Sequence, residues 1–371
     1  MKIRRREFMQ QVGTLAGAAA ASLLPGGRLW ASSPKRLLVI GGTDFVGPAV
    51  VEAGEIAGYR VTLFNRGITN PELFPQHEHL HGFRSIDEKD QGFSQLSGRV
   101  WDAAVDVWPS DPTMVSTLAE ALKDLVGHYL YISSCAVYKS FDQPGLTESS
   151  PVRELHGNDT PNYSDGKAES EQRLSRIFGQ RLTIVRPCSI DGYRNDGVNL
   201  QTWLTRIQTG GPHIAPGTGT EHVQIIDAKD VGRFVIHCIQ RSLYGVFNVT
   251  GESLPFRAFL DDCKSAADSD AEFVWIPEDF LREQDPHFER FFPLWMPSKG
   301  PQGFFQVSGD KALKAGFQRR SFQETAADVL QWYRERDGKL PTANGTAGHW
   351  LDPLSAEQEA EIIARWKSFH R

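Results

Sequence analysis

Short hydrophobic runs separated by amphipathic stretches fill the first half of the chain. Runs without polar interruption are typical of strands buried on both faces of a parallel sheet. Residues 36–40 and 181–185 are predicted as such buried strands, and residues 59–64, 101–107 and 128–132 as further strands. Helical patterns lie between them, notably one that begins near Gly47 and one over residues 112–125. Alternating strands and helices predict an α/β fold, a doubly wound parallel sheet with right-handed crossovers.

The second half of the chain has a looser pattern. Stretches rich in glycine and proline interrupt it at residues 209–219 and 293–303. We therefore predict a dinucleotide-binding Rossmann domain over residues 35–190. Residues 191–371 are predicted to form a smaller C-terminal substrate lobe that also returns some elements to the Rossmann domain.

A last helix is predicted at the C-terminus. Ser355 and Gln358 have the spacing of a capping box, in which two residues three apart satisfy the first backbone N–H groups of a helix. The apolar residues that follow share one helical stripe: Ile362, Ile363, Trp366 and Phe369. The stripe indicates either core packing or a subunit contact, so a homodimer stays open.

The N-terminus resembles a twin-arginine export signal. Arg5 and Arg6 precede an apolar run of small residues over 12–24, and a cleavage-site pattern lies near Ala31. The run is shorter than the ~20 apolar residues that a membrane-spanning helix needs, so no stable membrane anchor is expected. We predict that residues 1–31 are a signal peptide and that the mature protein is periplasmic or secreted.

Composition limits the classes of partner. The chain has 371 residues, 40% of them hydrophobic, and a net charge of −6. An acidic balance gives no overall basic field that would hold nucleic acid, so no nucleic-acid partner is expected. The four cysteines have neither zinc-ligand spacing nor the pattern of a disulfide framework, so we expect no metal site and mostly buried thiols.

Three short motifs carry candidate chemistry. Tyr163 and Lys167 are four residues apart in a helix-forming stretch and therefore share one helix face. An ammonium beside a phenol lowers the phenol pKa and makes it a usable proton acceptor. Ser133 and Ser134 follow a predicted strand, and a glycine turn at residues 41–47 follows another. Together these motifs predict a hydride-transfer site at the carboxyl ends of the strands.

These motifs resemble the extended short-chain dehydrogenase/reductase superfamily, in its NAD-dependent epimerase/dehydratase group. The Val-Arg-Pro of residues 185–187 adds to the resemblance. Within it, Ser134 matches the catalytic hydroxyl, Tyr163 the acid/base, and Lys167 the partner of the tyrosine. The Gly-Gly-Thr-x-Phe-x-Gly form of the turn at residues 41–47 resembles a branch that includes the chloroplast stem-loop-binding proteins.

The resemblance also implies a cofactor site. Lys167 also holds the nicotinamide ribose in this family, and Ser133, Asn65 and Arg66 are further candidate cofactor residues. Asp44 stands where the family has its middle glycine, so its carboxylate has to turn away from the pyrophosphate, for instance as a helix cap. The predicted pyrophosphate turn consists of Gly41, Gly42, Thr43, Phe45, Val46 and Gly47.

The choice between NAD and NADP depends on the end of the second strand. NAD-binding members place an acid there, whereas this chain has Asn65 followed by Arg66. Arg66 suits the 2′-phosphate of NADP, but Asp44 would repel that phosphate if it lies nearby. We take NAD as the first choice and keep NADP as the alternative.

The resemblance implies an oxidoreductase that oxidises a secondary alcohol of a sugar or polyol to a transient ketone. Because free dinucleotide is scarce outside the cytoplasm, we expect a redox-neutral reaction with a retained cofactor. Tyr138, Arg186 and Gln224 are candidate contacts to this small-molecule substrate. Two alternatives stay open: an NADPH-dependent carbonyl reductase and a non-catalytic RNA-binding relative.

Overall fold

The structure of the chain is a computed structural model that describes residues 34–84, 92–107, 111–154, 162–195, 199–336 and 354–369. The predicted signal peptide, residues 1–31, lies outside the described residues. From Pro34 onwards the chain forms one compact unit. None of the helices in the described ranges is long and apolar enough to cross a membrane.

Strands and helices alternate from the start of the described chain. Its strands are β1 (Arg36–Ile40), β2 (Arg60–Asn65), β3 (Glu78–His81), β4 (Trp101–Asp106), β5 (Val126–Ile132), β6 (Leu182–Pro187), β7 (Ser189–Asp191), β8 (Pro212–Pro216), β9 (His222–Asp227), β10 (Gly245–Val249), β11 (Ser253–Pro255) and β12 (Glu272–Ile276). Its helices are α1 (Val46–Ile56), α2 (Pro112–Leu122), α3 (Tyr163–Phe178), α4 (Asn199–Gln208), α5 (Ala228–Arg241), α6 (Phe256–Ala266), α7 (Glu278–Gln284), α8 (Asp310–Lys314), α9 (Phe322–Glu335) and α10 (Ala356–Phe369).

The main sheet has seven strands in the order β3-β2-β1-β4-β5-β6-β10. Every neighbouring pair in it is parallel. The strand order reverses between β1 and β4, and ligands of doubly wound sheets bind at the carboxyl ends of the strands at such a point. The predicted fold class, an α/β doubly wound parallel sheet, is therefore confirmed.

The apolar runs form strands because both of their faces are covered. Leu37, Leu38 and Val39 of β1 have no exposed surface. The strands lie within one or two residues of their predicted positions. The predicted helix at residues 112–125 ends earlier, at Leu122, because the N–H of Leu125 turns back to the Leu122 carbonyl just before β5 begins.

The second half of the chain adds two small sheets and a second apolar core. The small sheets have the strand orders β11-β9-β7 and β12-β8. Trp203, Phe256 and Phe292 lie at the centre of this second core. Two second-half elements return to the main sheet: β10 pairs with β6, and α5 packs on α1. The boundary at residues 190 and 191 stays a prediction.

The C-terminal helix α10 is present as expected. The N–H of Ser355 donates to Gln358 Oε1 at 3.0 Å, and the N–H of Gln358 donates to Ser355 Oγ at 3.2 Å, which completes the predicted capping box. Ile363 is buried, whereas Phe369 is 79% exposed. Most of the predicted stripe therefore packs against the second core, and its last residue faces solvent.

Candidate active site

Glycines shape the turn between β1 and α1. Gly41 and Gly42 have φ angles of 105° and 90°, which residues other than glycine rarely adopt. A Cβ on Gly47 would lie 2.6 Å from the Cα of Gly42 and 2.7 Å from its nitrogen. The predicted glycine turn therefore closes tightly onto the start of α1, at the carboxyl end of β1.

The other residues of this turn set the start of α1. Phe45, with φ 41°, occupies the N-cap position, and α1 begins at Val46. Phe45 and not Asp44 is thus the N-cap residue, and Asp44 is exposed. Thr43 is buried, and its carbonyl accepts a 2.8 Å hydrogen bond from the Asn70 amide. Because the side chain of phenylalanine has no polar atom, it does not compete with a ligand for the first N–H groups of α1.

Asn65 and Arg66 lie at the end of β2. The Asn65 amide nitrogen donates to the carbonyl of Gly41 at 3.3 Å, and its oxygen accepts from the N–H of Gly67 at 2.8 Å. Both polar ends of the Asn65 side chain therefore hold loops together. Arg66 is exposed and supplies a positive charge at this strand end.

Ser133 and Ser134 lie at the end of β5. The N–H of Ser133 donates to the Val185 carbonyl at 2.7 Å, which extends the pairing of β5 with β6. The Ser133 hydroxyl is buried and has no hydrogen-bond partner among the described residues. Ser134 is extended and begins the 3-10 turn Cys135–Val137, where its Oγ accepts the N–H of Ala136 at 3.1 Å. The hydroxyl proton of Ser134 is left for another acceptor.

Tyr163 is the first residue of α3. Asn162 caps this helix by accepting the N–H of Asp165 at 3.0 Å. The Tyr163 side chain forms a hydrogen bond with that of Ser134 and is 49% exposed. Desolvation raises the pKa of Tyr163 above its usual value of 10, and the hydrogen bond to Ser134 opposes that rise. The two predicted hydroxyl residues are therefore in contact.

Lys167 lies one turn after Tyr163 and is 2% exposed. Its Nζ donates a 2.6 Å hydrogen bond to the Ile132 carbonyl at the end of β5. The same nitrogen is 4.5 Å from the ring centre of Tyr131 and 6.0 Å from that of Tyr163. Burial lowers the pKa of Lys167 to about 7.

The sequence predicted that the ammonium of Lys167 lowers the pKa of Tyr163, whereas in the structure burial raises that pKa and the opposing contribution comes from Ser134. The physical reason is that Lys167 is directed to the sheet, where it donates to Ile132. Ser134, Tyr163 and Lys167 nevertheless meet at the carboxyl ends of β5 and its neighbours.

A buried ion pair next to this site was missed by the sequence analysis. Arg84 donates to both carboxylate oxygens of Asp106, at 2.9 and 2.5 Å, and the Tyr129 hydroxyl donates to the same carboxylate at 2.7 Å. Asp106 has no exposed surface, and Arg84 is 6% exposed. Asp106 ends β4, directly beside the end of β1. The available signal was a carboxylate that directly follows the buried apolar residues 103–105 of β4.

Tyr138 and Arg186, two predicted substrate contacts, lie in the protein interior. Arg186 donates to both carboxylate oxygens of Glu171 at 2.9 and 2.5 Å and to the Tyr138 hydroxyl at 3.2 Å. Tyr138 in turn donates to the Asn248 side chain at 2.6 Å. Burial raises the pKa of Tyr138 to about 12, so its hydroxyl stays protonated. The structure gives these residues internal partners in place of a substrate-facing position.

Gln224, the third predicted substrate contact, also bonds to the backbone. Its amide nitrogen donates to the carbonyls of Gly251 and Val307 at 3.1 and 3.0 Å, and its oxygen accepts the N–H of Val307 at 3.1 Å. These bonds fasten β9 to the segment before α8. Gln224 is also among the residues that line a cavity of about 490 Å³.

The cysteines and acidic residues provide no alternative chemistry that the structure supports. Cys135, Cys188, Cys238 and Cys263 are all buried and unpaired. Burial raises the pKa of Cys135 well above its usual value, so this neighbour of Ser134 stays a thiol. No group of three or more His, Cys, Asp or Glu side chains that could hold a metal ion occurs in the described part of the chain.

The turn and strand ends fit a dinucleotide. Phe45 places no side-chain hydrogen bond on the first turn of α1, which can present N–H groups to phosphates, and Gly41 and Gly42 bring the backbone close without side chains. The buried Ser133 hydroxyl, which has no hydrogen-bond partner in the described part of the chain, lies at the end of β5. The point between β1 and β4 where the strand order reverses lies between these two features. The residues present therefore suit a bound cofactor along the carboxyl edge of the sheet.

Solved structures share this architecture. A UDP-glucose 4-epimerase of Thermotoga maritima has a TM-score of 0.57 and 18% identity over 81% of this chain and 99% of its own. A UDP-glucose 4-epimerase of Thermus thermophilus, solved with NAD, has a TM-score of 0.59 and 18% identity with the same coverage. A Bordetella bronchiseptica enzyme solved with NAD and UDP has a TM-score of 0.61 and 16% identity over 85% and 100% of the two chains. At these identities the likeness shows the fold alone.

A curated relative comes from the predicted branch. The chloroplast stem-loop binding protein of 41 kDa b of Arabidopsis thaliana is 29% identical over 247 residues. The match spans 62% of this chain and 62% of the relative, which is less than two thirds of its length. This resemblance therefore concerns part of each protein.

A family model covers more than half of the chain. Residues 37–250 match the NAD dependent epimerase/dehydratase family. The matched region contains the glycine turn, Ser134, Tyr163 and Lys167. The match confirms the expected epimerase/dehydratase family, whose description names NAD. The chain belongs to the NAD dependent epimerase/dehydratase family.

Proposed function

We propose that the protein is an exported oxidoreductase of the epimerase/dehydratase type that acts on a secondary alcohol of a sugar or polyol. The observation that carries this proposal is the contact between the Tyr163 and Ser134 side chains beside the buried Lys167. A half-exposed phenol can meet a substrate from solvent, whereas Lys167 supports it from the interior. This arrangement suits removal of a proton from a substrate hydroxyl.

Each of the three residues then has a distinct part. Tyr163, in its deprotonated form, takes the hydroxyl proton of the substrate and later returns it; because burial raises the pKa of Tyr163, the fraction in this form, and with it the rate, should grow with pH. The Ser134 hydroxyl, which bonds to the Tyr163 side chain, would turn its proton to the substrate oxygen and stabilise the negative charge there as the ketone forms. Lys167 contributes a positive charge under the reacting groups from its place on the Ile132 carbonyl.

The cofactor would lie along the carboxyl edge of the sheet. Gly41, Gly42 and the first turn of α1 would hold its pyrophosphate, and Ser133 and Lys167 would contact its nicotinamide half. When bound, the dinucleotide accepts a hydride and can return it. NAD remains our first choice, in line with the family description, while the exposed Arg66 keeps NADP as the alternative.

We propose that the reaction is redox-neutral and that the cofactor stays bound. The twin arginines of residues 5 and 6 support export, and free dinucleotide is scarce outside the cytoplasm. A reaction that returns its hydride in each turnover needs no exchange of cofactor. The similarity in fold to UDP-glucose 4-epimerases supports this class. A nucleotide sugar is a less fitting substrate at that location than a free sugar or polyol.

The purified mature protein tests this proposal directly. After denaturation, we expect mass spectrometry of the released small molecules to find close to one dinucleotide for each chain. Sugars and polyols added to the native protein should then give epimerised or dehydrated products without added cofactor. A protein that releases no dinucleotide and turns over only with added NADPH would instead be the carbonyl reductase.

Export needs its own test. Residues 1–31 fused to a reporter that is active only after twin-arginine transport should carry it across the membrane. Replacement of Arg5 and Arg6 by lysine should retain the reporter in the cytoplasm. Transport that survives this replacement would contradict the proposed route.

RNA binding is the second candidate function, because the curated relative is named a stem-loop binding protein. A gel-shift titration with stem-loop RNA at several salt concentrations separates the two functions. For an enzyme with a net charge of −6 we expect weak binding that disappears as the salt concentration rises. Tight and salt-resistant binding would favour the RNA-binding alternative.

A further inference from the structure

Lys167 is enclosed by charged and aromatic groups from three directions. Tyr131 of β5 lies under its ammonium, with the ring centre 4.5 Å from Nζ. On its own helix, Glu171 follows one turn later and is bonded to Arg186. The carboxylate of Asp106, at the end of β4, is bonded to Arg84. Both carboxylates near Lys167, those of Glu171 and Asp106, are therefore already paired with an arginine.

The position of Asp106 relative to Lys167 follows from the sheet register. Asp106 pairs with Tyr131 across the β4–β5 ladder. Lys167 lies over the Tyr131 ring and donates to the carbonyl of the next residue, Ile132. The carboxylate of Asp106 and the ammonium of Lys167 thus occupy neighbouring strand ends at the same edge of the sheet, both almost fully buried.

Burial makes the charges at this edge depend on one another. Desolvation lowers the pKa of Lys167 to about 7, Asp106 and Glu171 raise it, and Arg84 lowers it. Screening by water is weak because Lys167, Asp106 and Arg84 are each at most 6% exposed. A change of charge at Asp106 or Arg84 should therefore change the pKa of Lys167.

We propose that Asp106 and Arg84 form a positioning pair that sets the charge of Lys167, with Asp106 keeping the side chain cationic and Arg84 limiting that effect. The pair acts through Lys167 and does not touch the reacting atoms. This inference rests on the proposed function, because a charged Lys167 matters to turnover only if this site carries out the reaction. It assigns a role to two residues that lie outside the Ser-Tyr-Lys set.

The test is an NMR titration of the purified mature protein with labelled lysine side chains, which measures the pKa of Lys167. The signal of Lys167 is assigned by its absence from Lys167→Met. In Asp106→Asn the pKa of Lys167 should fall by about one pH unit or more, because its carboxylate neighbour is gone. In Arg84→Gln that pKa should rise, because a cation has been removed while Asp106 keeps the hydrogen bond from Tyr129.

Opposite shifts separate this role from a structural one. Loss of a merely structural ion pair would loosen the same region in both variants and move the pKa of Lys167 in one direction. Asp102→Asn is the matched control, since Asp102 lies at the other end of β4 and accepts the N–H of Arg36; it should leave Lys167 unchanged. Parallel shifts in Asp106→Asn and Arg84→Gln, or no shift in Asp106→Asn, overturn the proposal.

A conservative variant covers the case in which Asp106→Asn does not fold. Arg84→Lys keeps the cation and should hold the pKa of Lys167 near its wild-type value, unlike Arg84→Gln. If Arg84→Lys and Arg84→Gln give the same shift, charge is not the property that matters and the proposal fails. The titration does not depend on turnover, so its outcome is separate from a failure of the proposed function, which Tyr163→Phe reveals.

Discussion

Lys167 donates a 2.6 Å hydrogen bond to the carbonyl of Ile132, the last residue of β5. The ammonium is thus anchored on the rigid end of β5 while α3 carries Tyr163 above it. Burial of this ammonium is costly to the fold, because desolvation lowers its pKa by more than the carboxylates of Asp106 and Glu171 raise it. That cost is a measurable signature of the site.

Replacing Lys167 by methionine should therefore stabilise the protein while abolishing turnover. The pKa of Lys167 is about 7 in the folded chain against an ordinary 10.5, so the unfolded state binds more protons between these values. Wild-type stability rises with pH across that window, and the ammonium penalises folding fully below pH 7. Below pH 7, Lys167→Met should be more stable by roughly 1–3 kcal/mol.

Thermal melts at pH 6 and at alkaline pH check this prediction. The advantage of Lys167→Met should shrink as the pH rises above 7. Lys123→Met is the control, because Lys123 is a half-exposed surface lysine paired with Glu120, and its melts should match wild type at every pH. A variant of Lys167 that is less stable than wild type at pH 6 would contradict the buried-charge account.

Removal of the Tyr163 hydroxyl tests the reaction itself. Tyr163→Phe should reduce kcat by about 10²–10⁴-fold, the usual contribution of a general acid/base. The melting temperature should hardly change, because the ring is 49% exposed. Tyr244→Phe, at a tyrosine that is 45% exposed and outside the site, provides the control and should retain full activity. Undiminished turnover in Tyr163→Phe would falsify the proposed function.

The hydroxyl of Ser134 should reveal itself in a pH profile. Its hydrogen bond opposes the desolvation that raises the pKa of Tyr163, so its loss in Ser134→Ala should raise that pKa further. The limb of the kcat profile that rises with pH should then move to higher pH, with a decrease of about 10²–10³-fold at neutral pH from the lost oxyanion donor. Ser140→Ala, at an exposed serine on the following loop, should keep the wild-type profile.

The sequence predicted the parts of this site that depend on local spacing. A strand buried on both faces shows as a short apolar run in the sequence. One helix turn brings Tyr163 and Lys167 to one face, so their spacing of four residues predicts that they are neighbours. The Arg84–Asp106 pair joins the segment after β3 to the end of β4, 22 positions apart along the chain. Likewise Arg186 received a substrate role because only its place after a strand was known. Its contact with Glu171 depends on how α3 packs on β6.

The glycine turn should tolerate no side chain at Gly47. A methyl group there would lie 2.6–2.8 Å from backbone atoms of Gly42, which cannot move aside as a side chain can. Gly47→Ala should therefore weaken dinucleotide binding by at least about 10-fold, since it displaces the phosphate turn. A methyl group on Gly54 of the same helix would meet only side-chain atoms, Leu37 Cδ2 at 2.9 Å, Val61 Cγ2 at 3.3 Å and Ile236 Cδ1 at 3.8 Å, so Gly54→Ala should bind the dinucleotide normally. Calorimetric titration of cofactor-free protein measures both.

The C-terminal helix should be held by one buried carboxylate. Glu359 of α10 accepts hydrogen bonds from Arg206 at 2.7 Å and from the N–H of Ile214 at 2.7 Å, and its other oxygen lies 3.2 Å from His213 Nδ1. Burial alone would raise its pKa, but His213, Arg206 and the Ile214 N–H together bring the pKa below the ordinary 4.5. Glu359→Gln should therefore cost about 2–3 kcal/mol at neutral pH.

The contribution of Glu359 to the free energy of unfolding should depend on pH. A carboxyl group with a lowered pKa stabilises the fold fully above its unfolded value of 4.5, and the contribution is lost as the pH falls through the lower folded value. The stability difference between wild type and Glu359→Gln, measured by urea unfolding, should thus shrink below pH 4.5. The control is Glu361→Gln, two residues after Glu359, which removes an exposed ion pair with Arg365. It should change the free energy of unfolding by less than about 0.5 kcal/mol. Equal losses in the two variants would mean that α10 is not held through Glu359.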